Sequence, residues 1–307
     1  MRLRDEVQIF IHPHRLMMMR IKRGIRKEIV AREVIPVENF ALSTLDSPAI
    51  TETSELKRAS GVTVNVPLWQ PAVTSLGLAL NDSKWRNAQS EIVLSNHFSR
   101  YAVIPWNAEL TSATERQAYL RHCFFLAYGE PARQWDLRMS PAGYGVPSIA
   151  SGIDTQLLEA LDLEFRQAGM KVNRIYPHLV VAVNAARQYW VEKQKKLQSA
   201  WFVTVEQGRL CLGLLEQYQW RLLKSFAAQA DISTQLEALM HRESIIAAID
   251  TTGWPVLLYW PELTSGHAIT LQDREVFSVL SEDEYLDGSL WRDESGHPSA
   301  TEIGVTC

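Results

Sequence analysis

The feature that most constrains the fold of this 307-residue chain is an order of predicted elements that occurs twice. In each copy three consecutive strands form a meander, a helix follows, and a further strand comes after the helix. The predicted meander strands lie at residues 7–11, 16–21, 28–35, 201–205, 209–215 and 220–226. The chain is therefore predicted to be an α/β (α+β) protein of two halves, each a mixed sheet flanked by helices.

Apolar residues at helical spacing predict the helices between these strands. The predicted helices lie at residues 69–80, 111–127, 157–165, 178–196 and 232–248. Asp231 is the expected N-cap of the last helix, and Ser151 with Asp154 resembles a capping box before the third. The polar stretch at residues 38–66 predicts a loop.

Composition restricts the class of protein. The 46% hydrophobic and 21% charged residues indicate a folded chain rather than a disordered one. A net charge of −4 does not favour general binding of nucleic acid. No stretch predicts a transmembrane helix or a signal peptide, and three cysteines without metal-site spacing fit a reducing compartment. These features predict a cytoplasmic protein.

Charge is concentrated at the two ends of the chain. Residues 1–32 hold nine Arg/Lys and three acids, which gives +6, whereas residues 281–307 hold seven acids and one Arg, which gives −6. A solvated surface and a disordered tail explain this pattern simply. The alternative is a basic patch that meets anionic lipid or an acidic partner.

Local motifs offer two candidate chemistries. His12-Pro13-His14 after the first strand could place two imidazoles on one face for a metal, with His97 or His178 as a further ligand. A polar hairpin turn explains the same residues. Ser95 with His97 could form a nucleophile pair, although neither an Asp partner nor an oxyanion loop accompanies it. Phosphate-loop, dinucleotide and nucleophile-elbow motifs do not occur, so no catalytic residue is assigned.

Several segments together resemble the actin-like cytoplasmic proteins of type IV pilus and type II secretion machines, the PilM and GspL group. Residues 94–105 resemble the strand–turn–Arg–apolar–Pro hairpin of that group, and residues 115–129 resemble its small inserted subdomain. Residues 149–172 and 201–227 follow the same order of short motifs. The resemblance spans residues 5–280 and is strongest to a degenerate branch of the group.

The resemblance implies two RNase H-like halves that in the parent fold clamp a nucleotide. That fold uses an Asp-x-Gly turn in each half, whose backbone N–H groups cradle phosphate while the Asp holds Mg²⁺. At the corresponding positions this sequence has His12, Pro13, His14 and Arg15 in the first half, and Glu206, Gln207, Gly208 and Arg209 in the second. Proline removes a donor N–H, and the first turn has no carboxylate. We therefore expect degenerate nucleotide loops, no cofactor and no enzymatic activity.

The resemblance also implies a domain organisation. Residues 1–185 are the expected first half, with an inserted subdomain at about 106–145, residues 186–285 are the second half, and residues 286–307 are an acidic tail. The implied role is a scaffold that docks from the cytoplasmic side to pilus or secretion assembly proteins at the inner membrane. Whether the protein forms a homodimer is left undecided by the sequence. One alternative is an ATP- and Mg²⁺-binding ATPase or small-molecule kinase of the same fold. Another is a metal-dependent hydrolase that uses His12 and His14.

Overall fold

A computed structural model describes most of the chain. It describes residues 5–22, 28–37, 53–57, 63–140, 142–192, 198–262 and 269–279, with side chains at all of these except 53–57, 63–65 and 188–192. The strands are β1 (Glu6–His12), β2 (Arg15–Lys22), β3 (Glu28–Pro36), β4 (Thr53–Lys57), β5 (Thr63–Pro67), β6 (Gln89–Leu94), β7 (Ser99–Ile104), β8 (Trp135–Met139), β9 (Ser148–Asp154), β10 (Val172–Pro177), β11 (Ala200–Glu206), β12 (Arg209–Glu216), β13 (Gln219–Ala227), β14 (Val256–Tyr259) and β15 (Val276–Ser278). The helices are α1 (Gln70–Leu80), α2 (Ala113–Tyr128), α3 (Thr155–Gln167), α4 (His178–Glu192) and α5 (Ile232–Ala247).

The first meander builds a five-stranded sheet in the order β10-β6-β1-β2-β3. β1 and β2 are antiparallel, as are β2 and β3, whereas β6 is parallel to β1. Apolar residues of α1 and α3 at spacings of three and four pack on the β1 side chains of this sheet. The central contacts involve Val7, Ile9, Ile11, Leu76, Leu80, Leu157, Leu161 and Phe165, all buried.

The second meander builds a sheet with the same order of strands, β13-β12-β11-β14-β15. β11 is antiparallel to β12 and parallel to β14. One face of this sheet packs on α5 and the other on α4, because side chains along a buried strand alternate between two apolar layers. The repeated strand order confirms the predicted α/β architecture of two mixed sheets with N-terminal meanders.

A smaller three-stranded sheet, in the order β7-β9-β8, packs against α2. Ser112 caps α2 in a capping box: its side chain accepts the Glu115 backbone N–H, and the Glu115 carboxylate accepts the Ser112 N–H. Gly152 lies where Leu137, Phe124 and Trp135 leave no room for a Cβ atom. This unit contains the predicted insertion but begins earlier, since its first strand starts at Ser99.

The described residues pack as two units, and the division into halves at 1–185 and 186–285 stays a prediction. Among the described residues, one unit holds those within 5–98 and 153–176, and the other holds those within 99–152 and 177–279. Helix α4 belongs to the second unit because its apolar residues pack with Phe202 and Leu257 of the second sheet. β7 contacts β13, and the three-stranded sheet therefore belongs to the second unit as well. Periodicity identified these elements but not the sheet on which each one packs.

Other local predictions have different outcomes. Asp231 is the N-cap of α5, as predicted, and accepts the Thr234 backbone N–H. The α3 N-cap is Asp154 alone, which bonds the Gln156 N–H, so the predicted Ser151 capping box is wrong. The predicted loop at 38–66 contains β4 and β5, paired as a hairpin. The predicted disordered tail lies outside the described residues, and none of the helices that the structure describes is long and apolar enough to cross a membrane.

Candidate functional site

The predicted loop residues lie at two hairpin turns in matching positions of the two sheets. In the β1–β2 hairpin His12 pairs with Arg15, which leaves a two-residue turn. In the β11–β12 hairpin Glu206 pairs with Arg209, again across a two-residue turn. The second turn depends on Gly208, whose φ of +80° lies in the left-handed region. The sequence therefore located both turns.

Three imidazole rings lie close together at the first hairpin. His12 is fully buried, and its ring centroid lies 5.2 Å from that of His14 and 4.9 Å from that of His97. The His12 Nδ1 atom accepts the His14 backbone N–H at 3.2 Å. Burial, the nearby His97 and the Arg15 charge lower the pKa of His14, in that order of importance. Protonation of His14 is thus disfavoured at neutral pH.

The contact at His12 bears on the metal alternative. A neutral imidazole has one nitrogen lone pair for a ligand bond, and its other nitrogen carries the proton. Since the His12 Nδ1 lone pair accepts the His14 N–H, the proton of neutral His12 lies on Nε2. A cation at His12 would have to displace one of these two hydrogens, and the metal-dependent alternative stays a prediction.

Ser95 and His97 do form a pair, but it is a turn contact. The Ser95 Oγ accepts the His97 backbone N–H at 3.1 Å and lies 2.9 Å from His97 Nδ1. A serine hydroxyl bonded to the backbone two residues later is typical of a local turn. Ser95 is fully buried, so its hydroxyl is not presented to a substrate.

The second hairpin holds a buried carboxylate. Glu206 is 3% exposed, and the Nδ1 atom of His178, 1% exposed at the start of α4, bonds its Oε1 atom. Sequence reasoning treated His178 as a metal ligand candidate and Glu206 as a loop position. It missed their pairing because 28 residues separate them.

Several cationic and weakly acidic side chains lie next to this hairpin. Burial, followed by the charge of Arg209, lowers the pKa of Arg100 to about 10. Burial also raises the pKa of the Cys211 thiol to about 12. Tyr128 lies beside both arginines, and its hydroxyl donates to the Tyr101 carbonyl at 2.6 Å. Arg100 was not among the predicted site residues, although it is the Arg of the strand–turn–Arg–apolar–Pro resemblance at residues 94–105.

These residues do not fit the Mg²⁺–nucleotide of the parent fold. The first turn has Pro13, which lacks the N–H that would meet a phosphate, and histidines where Mg²⁺ requires oxygen ligands. The second turn has the Glu206 carboxylate, but His178 already bonds it.

Comparisons with known proteins identify the fold of this chain. No protein-family model matches the chain, and no curated protein matches it in sequence. A solved PilM–PilN type IV pilus biogenesis complex matches with a TM-score of 0.53 and 11% identity, covering 97% of this chain and 96% of that one. The class that this fold defines is the actin-like fold of two RNase H-like halves.

Two further solved structures are similar with lower scores. The cytoplasmic domain of EpsL, an inner-membrane component of the type II secretion system of Vibrio cholerae, has a TM-score of 0.48 and 8% identity, covering 89% of this chain and 90% of that one. A Bacteroides thetaiotaomicron protein of unknown function with an actin-like ATPase fold has a TM-score of 0.49 and 10% identity, covering 86% and 84%. The likeness to the PilM–PilN complex, with its TM-score of 0.53, confirms the fold that the sequence resemblance implied.

Proposed function

We propose that the protein is a non-catalytic, actin-like scaffold of a type IV pilus or type II secretion assembly platform. The observation that carries this proposal is the likeness of fold to the PilM–PilN complex, which extends over 97% of the chain. A likeness over the whole chain favours a related architectural role over reuse of one half in another context. The partners would be assembly proteins at the inner membrane, met from the cytoplasmic side.

The two hairpin turns support the non-catalytic part of the proposal. Phosphate transfer in this fold needs turns with free backbone N–H groups and a carboxylate for Mg²⁺. In this chain imidazoles of His12 and His14 fill one turn, and the other holds a carboxylate bonded by His178. An actin-fold ATPase or kinase would have to use different groups.

Deletion of the gene in its native host tests the association with an assembly platform. We expect loss of surface pili or of secreted substrates, with restoration by the wild-type gene. In-cell crosslinking should capture an inner-membrane assembly protein in the same strain. Normal pili and normal secretion in the deletion strain would contradict the proposal.

Calorimetric titration of Mg-ATP and Mg-ADP into the metal-stripped protein tests the absence of catalysis separately. We expect no saturable heat up to millimolar nucleotide. Binding at micromolar Kd, equivalent to about −8 kcal/mol, together with turnover would establish the ATPase alternative. A deletion phenotype with such turnover would retain the assembly role and remove only the non-catalytic claim.

A further inference from the structure

The outer strand of the first sheet exposes aliphatic side chains that the proposed scaffold role does not use. On β3, Ile29, Val30 and Val34 are 38%, 46% and 51% exposed. β3 stands at the end of the strand order, and no strand that the structure describes pairs with its outer edge. Aliphatic side chains that are exposed as a group, rather than singly, indicate an interaction surface.

The strand register places Ile29 and Val34 on one face of the sheet. Ile29 lies opposite Ile21, and Val34 lies opposite Met17. Residues directly opposite each other, and residues two apart on one strand, share a face. Ala31 lies on the other face, where it packs with the apolar core that includes α1 and α3. Neither of these two helices therefore covers Ile29 or Val34.

Three cations border these aliphatic side chains. Arg32 lies on β3 itself, and Lys22, the last residue of β2, lies opposite Glu28. Arg86 is held at the same end of the sheet, because its carbonyl accepts Arg20 Nη1 at 3.1 Å. In the part of the chain that the structure describes, none of the three pairs with a carboxylate.

The surrounding charges leave this edge positive. Glu33, the other acid of β3, is already paired with Lys84 at 2.8 Å. By sequence, residues 23–27 between the two strands hold three further Arg/Lys and no acid. An excess of positive charge therefore lies next to the exposed aliphatic side chains.

The edge is not suited to the addition of another strand, from a second copy or from a peptide. The register skips Val30, which forms a bulge between Ile29 and Ala31. Pro36, at the end of β3, lacks a backbone N–H. Bulges, prolines and charges are the usual protection of an edge strand against pairing. That protection does not account for the exposed aliphatic side chains.

We propose that a membrane surface of anionic phospholipid binds here, on an outer β3 surface formed by Lys22, Ile29, Val30, Arg32, Val34 and Arg86. Aliphatic side chains enter the boundary between headgroups and acyl chains, while neighbouring cations meet the lipid phosphates. The surface is small beside the about 20–30 residues that each side of a stable protein interface contributes, whereas a bilayer needs no matching shape. This binding does not depend on the scaffold role.

Cosedimentation of the purified full-length protein with lipid vesicles tests the surface. The vesicles contain phosphatidylcholine alone or phosphatidylcholine with about 30% phosphatidylglycerol. We expect saturable binding to the anionic vesicles and no saturable binding to the neutral ones. Binding should weaken as the salt concentration rises, because ions screen the attraction.

Neutral variants of the cations test the electrostatic contribution. K22Q and R32Q should each bind the anionic vesicles about fivefold more weakly than the wild type. R221Q is the matched control, because Arg221 lies on β13 at the edge of the second sheet and its removal changes the net charge equally. R221Q should bind as the wild type does.

I29T and V30T test the aliphatic contribution without a change in charge. Threonine keeps the branched shape that suits a strand, and both positions are exposed, so both variants should melt at the wild-type temperature. Each should bind the anionic vesicles about threefold more weakly, because less apolar area enters the bilayer. I246T is the control, since Ile246 is 64% exposed on α5 and should not contribute.

The aliphatic variants also distinguish lipid from other anionic partners. A nucleic acid or an acidic protein would engage the cations alone, so unchanged vesicle binding in I29T and V30T would overturn the proposal. Absence of saturable binding to anionic vesicles, equal binding to neutral vesicles, or equal losses in R32Q and R221Q would also overturn it. The predicted vesicle binding in a protein whose deletion leaves pili and secretion normal would support the lipid site and remove only the scaffold role.

Discussion

His178 and Glu206, 28 residues apart in the chain, are joined by a hydrogen bond between side chains that are 1% and 2% exposed. The pair joins the first residue of α4 to the last residue of β11 within one packing unit. A carboxylate at this depth is stable only when a partner bonds it, because the interior solvates charge poorly. The pair therefore ties the start of a helix to the hairpin turn that replaces a nucleotide loop.

Removal of one partner of this pair should be costly. We expect His178→Ala to lower the free energy of unfolding by about 3–5 kcal/mol, since it removes a buried hydrogen-bond partner of the Glu206 carboxylate. Urea denaturation monitored by tryptophan fluorescence measures the change. Glu216→Ala is the control, because it breaks a more exposed contact with Arg221 and should cost less than about 1 kcal/mol. A loss in His178→Ala no larger than in this control would contradict the interpretation.

The Glu243 carboxylate should make stability depend on acidic pH. Its side chain is 1% exposed, and Lys224 Nζ and Arg242 Nη2 bond it at 2.5 and 2.7 Å. Burial raises the pKa of Glu243. The hydrogen bonds and charges of Lys224 and Arg242 lower this pKa by more than burial raises it, so the folded-state pKa lies below the usual 4.5. The carboxylate therefore stabilises the fold above pH 4.5, and this contribution is lost as the pH falls through the folded pKa.

Thermal unfolding of the wild type and Glu243→Gln across acidic pH tests the direction of this pH dependence. We expect the wild type to be more stable than the variant at neutral pH and the difference to shrink below pH 4.5. Asp136→Asn is a control, because that carboxylate pairs with Arg138 at an exposed site. A difference between wild type and Glu243→Gln that grows as the pH falls would reverse the assignment.

Close packing around Gly152 should exclude any larger residue. A Cβ atom there would lie 2.9 Å from Leu137 Cδ2 and 3.0 Å from atoms of Phe124 and Trp135. Gly152→Ala should therefore destabilise the protein by about 1–3 kcal/mol through overpacking. Gly143→Ala is the matched control, because its Cβ would meet only Val146 Cγ2 at 3.8 Å. Denaturant midpoints compare the two variants, and equal midpoints would count against the packing argument.

A glycine in the β12–β13 turn should stabilise the folded protein. Gln217 and Tyr218 form a two-residue turn with φ angles of 49° and 63°, which are unfavourable for residues with a Cβ atom. We expect Tyr218→Gly to raise the free energy of unfolding by about 1 kcal/mol. Tyr218→Ala should give no such gain, because alanine keeps the Cβ atom. Melting temperatures distinguish the variants, and an equal rise in both would show that removal of the exposed ring, not backbone strain, is responsible.

The elements were predictable because their signals are local. Alternating and continuous apolar runs identified β1, β2 and β11 to β13 within a few residues, and Asp231 identified the start of α5. The hairpin turns were also visible, since Gly208 and Pro13 are typical turn residues. The hairpin of β4 and β5 was missed because each strand has only five residues, and the three apolar residues Leu56, Val64 and Val66 give too short a periodic signal.

The sequence by itself determined the two meanders, their order and the departure of both turns from a phosphate-binding pattern, because each depends on residues close together in the chain. Tertiary structure decided that α4 and the β7-β9-β8 sheet join the second packing unit, that Glu206 meets His178, and that Arg100 lies beside Arg209. These outcomes depend on which apolar faces bury each other and on contacts between distant segments. Burial and Coulomb energy act through space, so a pattern read along the chain does not contain them.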